Sequence, residues 1–87
     1  MKPARTVSKR GRITYRNSKG LLHREDGPAE IWADGTTFWY LNGRRHRKDG
    51  PDYISTNGHM YWHRHGKMSR KDGPAAVWPD GTEYWCV

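Results

Sequence analysis

Acidic side chains are missing from the first 24 residues, cysteine occurs once, and no long apolar run exists anywhere. Each absence excludes something. The lone Cys86 rules out an internal disulfide and a zinc cage built on thiolates, and it points to a reducing, intracellular setting. No stretch approaches the roughly 20 apolar residues of a bilayer-crossing helix. Met1-Lys2-Pro3-Ala4-Arg5 starts like a signal peptide, but no apolar segment follows it. A soluble, cytoplasmic protein is the expectation. Helical periodicity is absent as well, because Gly or Pro interrupts too often. There is no nucleophile elbow, no Gly-rich phosphate loop and no acid–base pair outside turns, so neither catalysis nor a cofactor is indicated.

What the chain has in plenty is repetition and aromatic rings. Asp26-Gly27-Pro28 returns as Asp49-Gly50-Pro51 and Asp72-Gly73-Pro74, at a spacing of 23 residues. Trp39, Trp62 and Trp85 keep that spacing, as do Gly35, Gly58 and Gly81, then Gly20, Gly43 and Gly66, then Tyr15, Phe38, Tyr61 and Tyr84. A unit this short cannot enclose a core alone, so the units must stack. In 87 residues there is room for one small domain, stabilised by five Trp, five Tyr and one Phe.

Each unit predicts a β-hairpin. Ala29 to Ala33 and Thr36 to Tyr40 flank Asp34-Gly35, a strong signal for a two-residue type I′ turn. That turn puts Ile31 opposite Phe38, Ile54 opposite Tyr61 and Val77 opposite Tyr84. A second turn is expected at Asn42-Gly43 and His65-Gly66. Then comes the Asp-Gly-Pro corner, where Gly is expected to supply positive φ and Pro to open the next strand. Asp26, Asp34, Asp49, Asp72 and Asp80 therefore read as turn chemistry. The expectation is an all-β, antiparallel meander of stacked hairpins without helix. Residues 1–12 are expected as a flexible basic arm and 13–87 as one repeat domain. The first copy looks degenerate, with Arg16 where later copies have Trp; units follow near 28–50, 51–73 and 74–87, the sequence ending in the middle of the last.

Leu22-His23-Arg24-Glu25-Asp26-Gly27-Pro28-Ala29, followed by Trp39-Tyr40-Leu41-Asn42-Gly43 and Arg45-His46-Arg47-Lys48-Asp49-Gly50-Pro51, resembles the short β-hairpin repeats related to MORN repeats. The H-R-x-D-G-P-A form is similar to small proteins scattered through phage and bacterial genomes. The resemblance covers about residues 13–87. It implies an interaction scaffold, with the host cytoplasm as the setting if the chain is phage-encoded. Ser69 and Asp52 depart from the pattern, standing where His and Ala are expected.

The charge is uneven. Residues 1–24 hold eight Lys and Arg, while residues 25–87 hold eight more and all nine acids, so the excess of +7 sits in the first quarter. Arg24, Arg47 and Arg70 recur in phase and read as braces that stack on a Trp or pair with the corner Asp. The basic residues outside that series carry the functional reading. Lys9, Arg10, Arg12, Arg16 and Lys19, with Arg44, Arg45, Arg47 and Lys48, form a candidate track for phosphates, and neighbouring rings offer stacking platforms. On an extended segment Arg45 and Arg47 point one way and Arg44 and Lys48 the other. The bland alternative is a solvated face that keeps an aromatic sheet from aggregating.

Two further readings stay open. A rigid array presenting Trp, Tyr and Arg suits a phage-type inhibitor or adaptor that docks on an acidic host protein, one that mimics DNA or handles nucleic acid. The last strand, at Tyr84, Trp85 and Val87, is an apolar edge suited to docking or to a homodimer. His63 and His65 share a face on an extended strand, but spacing supplies no third ligand and metal is set aside. The in-phase Trp residues read as core, while one of Trp32 and Trp78 is left for contact.

Overall fold

A computed structural model describes residues 3–48, 50–70 and 73–85. Among positions singled out in the sequence, Asp49, Asp72, Cys86 and Val87 lie outside the described residues. The described chain contains no helix and runs through twelve short strands. They are β1 (Ala4–Val7), β2 (Ile13–Arg16), β3 (Glu30–Ile31), β4 (Thr37–Phe38), β5 (Tyr40–Leu41) and β6 (Arg44–Arg45), followed by β7 (Tyr53–Ile54), β8 (Met60–Tyr61), β9 (His63–Arg64), β10 (Lys67–Met68), β11 (Ala76–Val77) and β12 (Glu83–Tyr84). Eight form one antiparallel meander in the order β1-β2-β3-β4-β7-β8-β11-β12, and β5–β6 and β9–β10 form two-stranded ribbons. Each ribbon continues a sheet strand past one Trp, Trp39 or Trp62. The ribbons lean on their neighbours through backbone bonds, Gly43 N–H to Leu22 O and Gly66 N–H to Arg45 O, both 2.8 Å.

The meander is as expected, but the register is one residue away from it. Glu30 pairs with Phe38 and Ile31 with Thr37; Tyr53 pairs with Tyr61, and Ala76 with Tyr84. The turn is the cause. Trp32 N–H reaches Thr36 O at 2.8 Å and Gly35 N–H returns to Trp32 O at 3.0 Å, which closes a three-residue loop. Gly35 alone takes the left-handed conformation, with φ of 97°, and the Asp34 carboxylate caps the loop by accepting from Thr36 N–H at 2.9 Å. That bond lowers the Asp34 pKa, and the bonds from Thr82 do the same for Asp80. Positive φ at both central residues occurs instead at Asn42-Gly43 (49° and 79°) and His65-Gly66 (51° and 84°), the two-residue turns of the ribbons.

The first unit is a full hairpin rather than a degenerate one. Residues expected in a flexible arm form β1, whose Val7 pairs with Ile13, and the Ser8–Gly11 turn repeats the bonds of the Trp32–Gly35 turn. Its phase is hidden by one extra residue in the Asn17–Gly20 turn, closed by Asn17 N–H to Leu21 O at 2.9 Å. Tyr15, not Arg16, is therefore the counterpart of Trp39 and Trp62: Tyr15 N–H bonds Ala29 O, Trp39 N–H bonds Asp52 O and Trp62 N–H bonds Ala75 O.

The corners are built differently from the expectation. Gly27 is not among the glycines with positive φ. Its missing side chain makes room for a guanidinium: a Cβ there would lie 2.8 Å from Arg24 Cζ, and 2.9 and 2.6 Å from Arg47 and Arg70 Cζ at Gly50 and Gly73. On its other side each guanidinium lies 4.0 Å over a ring, Tyr15, Trp39 or Trp62. Each also donates to a corner carbonyl, of Pro28, Pro51 or Pro74, at 3.0–3.2 Å. The in-phase arginines are thus clamps, as their recurrence suggests.

With extents of 35 × 25 × 15 Å, the molecule is thin, and its buried residues are few and small. Ala29, Ala75, Ala76, Phe38, Thr36 and Asp52 are buried. The in-phase Trp residues are not core. Trp39 and Trp62 are half-buried beneath guanidinium groups, and Trp85 is 62% exposed, because so thin a sheet covers one face of each ring at most.

Candidate nucleic-acid interface and groove

Turn tips line two opposite edges of the sheet, and the cations sort between them. The tips at Ser8–Gly11 and Trp32–Gly35 are neighbours, Gly11 lying against Ala33 and Gly35 against Thr56. This edge presents Lys9 and Arg10 at one end, both exposed, and then Asp34 and Asp80. Arg12 turns inward from it, 3.7 Å from Glu30 and 4.9 Å over the Trp32 ring.

The ribbon turns build the other edge. Asn17 Nδ2–H donates to Asn42 Oδ1 at 3.1 Å, Leu21 packs 3.3 Å from where a Gly43 Cβ would be, and Arg44 packs 3.7 Å from the same point at Gly66. His23 Nδ1 accepts from Asn42 N–H at 2.9 Å, and His46 Nδ1 accepts from His65 N–H at 3.1 Å. Both rings must be unprotonated at that nitrogen to do so. Burial, reinforced by His65 and Arg64, holds the His46 pKa below its ordinary value, in keeping with that role.

This second edge carries Lys19 in the first turn, Arg44, and the cross-strand pair Arg64 and Lys67, all exposed. Arg16, whose guanidinium donates to Gly20 O at 2.9 Å, stands beside it. Among the described residues no carboxylate lies within ion-pair distance of Lys9, Arg10, Arg16, Lys19, Arg44, Lys48, Arg64 or Lys67. Residues of different units thus meet along an edge rather than only at the amino-terminal end. Arg64 and Lys67 escaped the sequence reading; Lys67 follows Arg44 at the repeat spacing, which was the available signal.

The remaining basic candidates separate. Arg45 turns over the rings of Phe38 and Tyr53, 5.3 and 5.7 Å away, while Arg47 is committed to the Trp39 clamp. Lys48 is exposed at the rim of a cleft that also includes Trp39, Leu41 and His46.

Arg45 opens onto a groove of about 650 Å³ whose walls are Tyr61, His63, Met68, Trp78 and Tyr84. A run of rings leads to these walls: Phe38 and Tyr53 are 4.8 Å apart, Tyr53 and Tyr61 are stacked at 5.2 Å, and Trp78 meets Tyr61 edge-on at 6.2 Å. Beneath them Asp52 is fully buried. Its two carboxylate oxygens lie 2.9 and 3.1 Å from His63 Nδ1. Burial raises the Asp52 pKa, opposed by the bond from His63. The flanking units place Ala29 and Ala75 at this position, both fully buried.

This pair was not foreseen, and it separates His63 from His65. His63 lies half-buried on β9 against Asp52, whereas His65 is exposed at a turn with φ of 51°. Among the described residues no three His, Cys, Asp or Glu side chains group so as to hold a metal ion. Trp32 is 36% exposed and Trp78 half-buried, so Trp78 is the one that walls the groove. Tyr84 and Trp85 are exposed at β12, the end strand of the sheet. No helix of the described residues is long and apolar enough to cross a membrane. No protein-family model matches the chain, and neither a curated protein nor a solved structure is matched.

Proposed function

We propose that this protein is a non-enzymatic binding module that engages nucleic acid through its cationic edge. The observation that carries this reading is the alignment of Lys19, Arg44, Arg64 and Lys67, from successive units and, among the described residues, without acid partners, along one row of turns. Cations so placed follow a phosphate backbone; they steer an anionic strand and release its counterions on binding. Among the described residues no helix is present to read base edges in a major groove, and sequence preference is expected to be slight. Lys9 and Arg10, at the opposite edge, extend the field toward the amino-terminal end.

Fluorescence anisotropy with a labelled duplex and a labelled single strand, titrated at increasing salt, tests the reading. Affinity is expected to fall steeply. The triple variant Arg44→Gln, Arg64→Gln and Lys67→Gln is expected to reduce the log–log salt slope by about 2–3 on duplex, from roughly 0.9 per phosphate contact. Absent or salt-insensitive binding to both probes would overturn the reading.

The exposed rings of Tyr84 and Trp85 favour a second reading, an adaptor or inhibitor that anchors them on an acidic protein surface. Failure to bind either nucleic acid would leave that reading in place.

A further inference from the structure

We infer that the groove beside Arg45 takes one nucleotide of an unpaired strand, its base against the rings of Tyr61, Trp78 and Tyr84 and its phosphate on Arg45 and His63. This rests on the nucleic-acid reading and names the part of the ligand that the groove recognises.

The argument begins with Asp52. A carboxylate is costly to bury, and the same place in the flanking units is filled by Ala29 and Ala75. The scaffold therefore does not require an acid there. What Asp52 does is hold His63: with Nδ1–H directed at the carboxylate, 2.9 Å away, the ring is fixed and Nε2 becomes its free end. Among the described residues nothing bonds Nε2, which is not among the buried unsatisfied atoms, and His63 is one of the residues that line the groove. A protonated imidazole donates from both nitrogens, and an anion at Nε2 favours that form.

Arg45 supplies the second set of donors on the same groove, its guanidinium held over Phe38 and Tyr53. A guanidinium and an imidazole fixed beside aromatic walls suit a planar ring joined to an anion. A groove of about 650 Å³ also lies within the range of small-ligand sites. The combination is not repeated among the described residues: cross-strand pairing makes Leu22, Arg45 and Met68 equivalent, and Arg16, Tyr40 and His63 equivalent, so the preceding pair of units has Leu22 and Tyr40 where this groove has Arg45 and His63. Bases in a duplex are stacked and paired and cannot enter such a groove, so the site distinguishes single strands from duplexes.

The test compares an oligothymidylate with a duplex of equal length on the wild-type chain, Asp52→Ala and the double variant Asp52→Ala, His63→Tyr. Both variants install residues that neighbouring units carry, and thermal melts check that they fold. Each is expected to bind the oligothymidylate about tenfold more weakly or worse, with duplex binding retained or slightly tighter because an acid has been removed. Adenosine monophosphate is expected to compete for the single strand better than adenosine or inorganic phosphate alone. Undiminished single-strand binding by the variants, or an equal loss on both probes, overturns the groove assignment while the edge reading stands. Wild-type protein that binds neither probe overturns both.

Discussion

His63→Ala is expected to destabilise the protein by about 3–5 kcal/mol, whereas Asp52→Ala is expected to change stability by less than about 1 kcal/mol. The two residues share one interaction, so a simple count of bonds lost predicts equal costs. Desolvation breaks the symmetry. Without His63, Asp52, fully buried in the wild-type fold, loses the imidazole that donates to it. Without Asp52, the imidazole loses its partner but keeps access to the groove, and the new alanine matches Ala29 and Ala75.

The pH dependence follows from the sign of the Asp52 shift. Burial holds this carboxyl above its ordinary value, so between about 3.8 and the raised value the folded state binds more protons than the unfolded state. That contribution grows as pH falls through the window. Removing His63 takes away a bond that lowers the Asp52 pKa, which widens the window. The His63→Ala penalty, measured against wild type in urea, is thus expected to shrink between neutrality and about pH 4.5. Equal costs for the two variants, or a penalty indifferent to pH, would refute the buried-charge account.

The second large effect concerns a glycine. Gly27→Ala is expected to destabilise by about 2 kcal/mol, through loss of a desolvated cation–π contact and a hydrogen bond. An ordinary Gly→Ala change at a φ that alanine tolerates stabilises by about 0.4–1 kcal/mol, so the predicted sign is reversed. The new Cβ would meet Arg24 Cζ at 2.8 Å and expel the guanidinium from its seat over Tyr15. In an Arg24→Ala background the same substitution is expected to lose its cost. Thermal unfolding of the four proteins of this cycle decides the matter, and an unchanged penalty in the Arg24→Ala background would exclude the clamp.

These two sites mark what sequence can and cannot convey here. Positions that recur in phase were legible: the hairpins, the meander and the arginine braces all follow from a period that the later units obey. The register was not, because Asp34-Gly35 suits a two-residue turn with two left-handed residues as well as a three-residue loop with one. One added residue at Asn17–Gly20 displaced the first unit from the count and hid the equivalence of Tyr15 with Trp39. The Asp52–His63 pair was concealed for another reason. Each residue is a separate departure within its own series, and only folding brings β9 over the start of β7. Arg64 and Lys67 join Arg44 through ribbon pairing that no spacing within a single unit reveals.

The most direct test of the proposed role is to map which amides respond when an unlabelled oligonucleotide is added to the isotope-labelled protein. Chemical-shift changes in amide spectra are expected to concentrate at residues 16–20, 42–45 and 63–68, with the strongest salt sensitivity at Lys19, Arg44, Arg64 and Lys67. Changes confined to Tyr84 and Trp85, or none at all under low salt, would contradict a nucleic-acid interface on this edge.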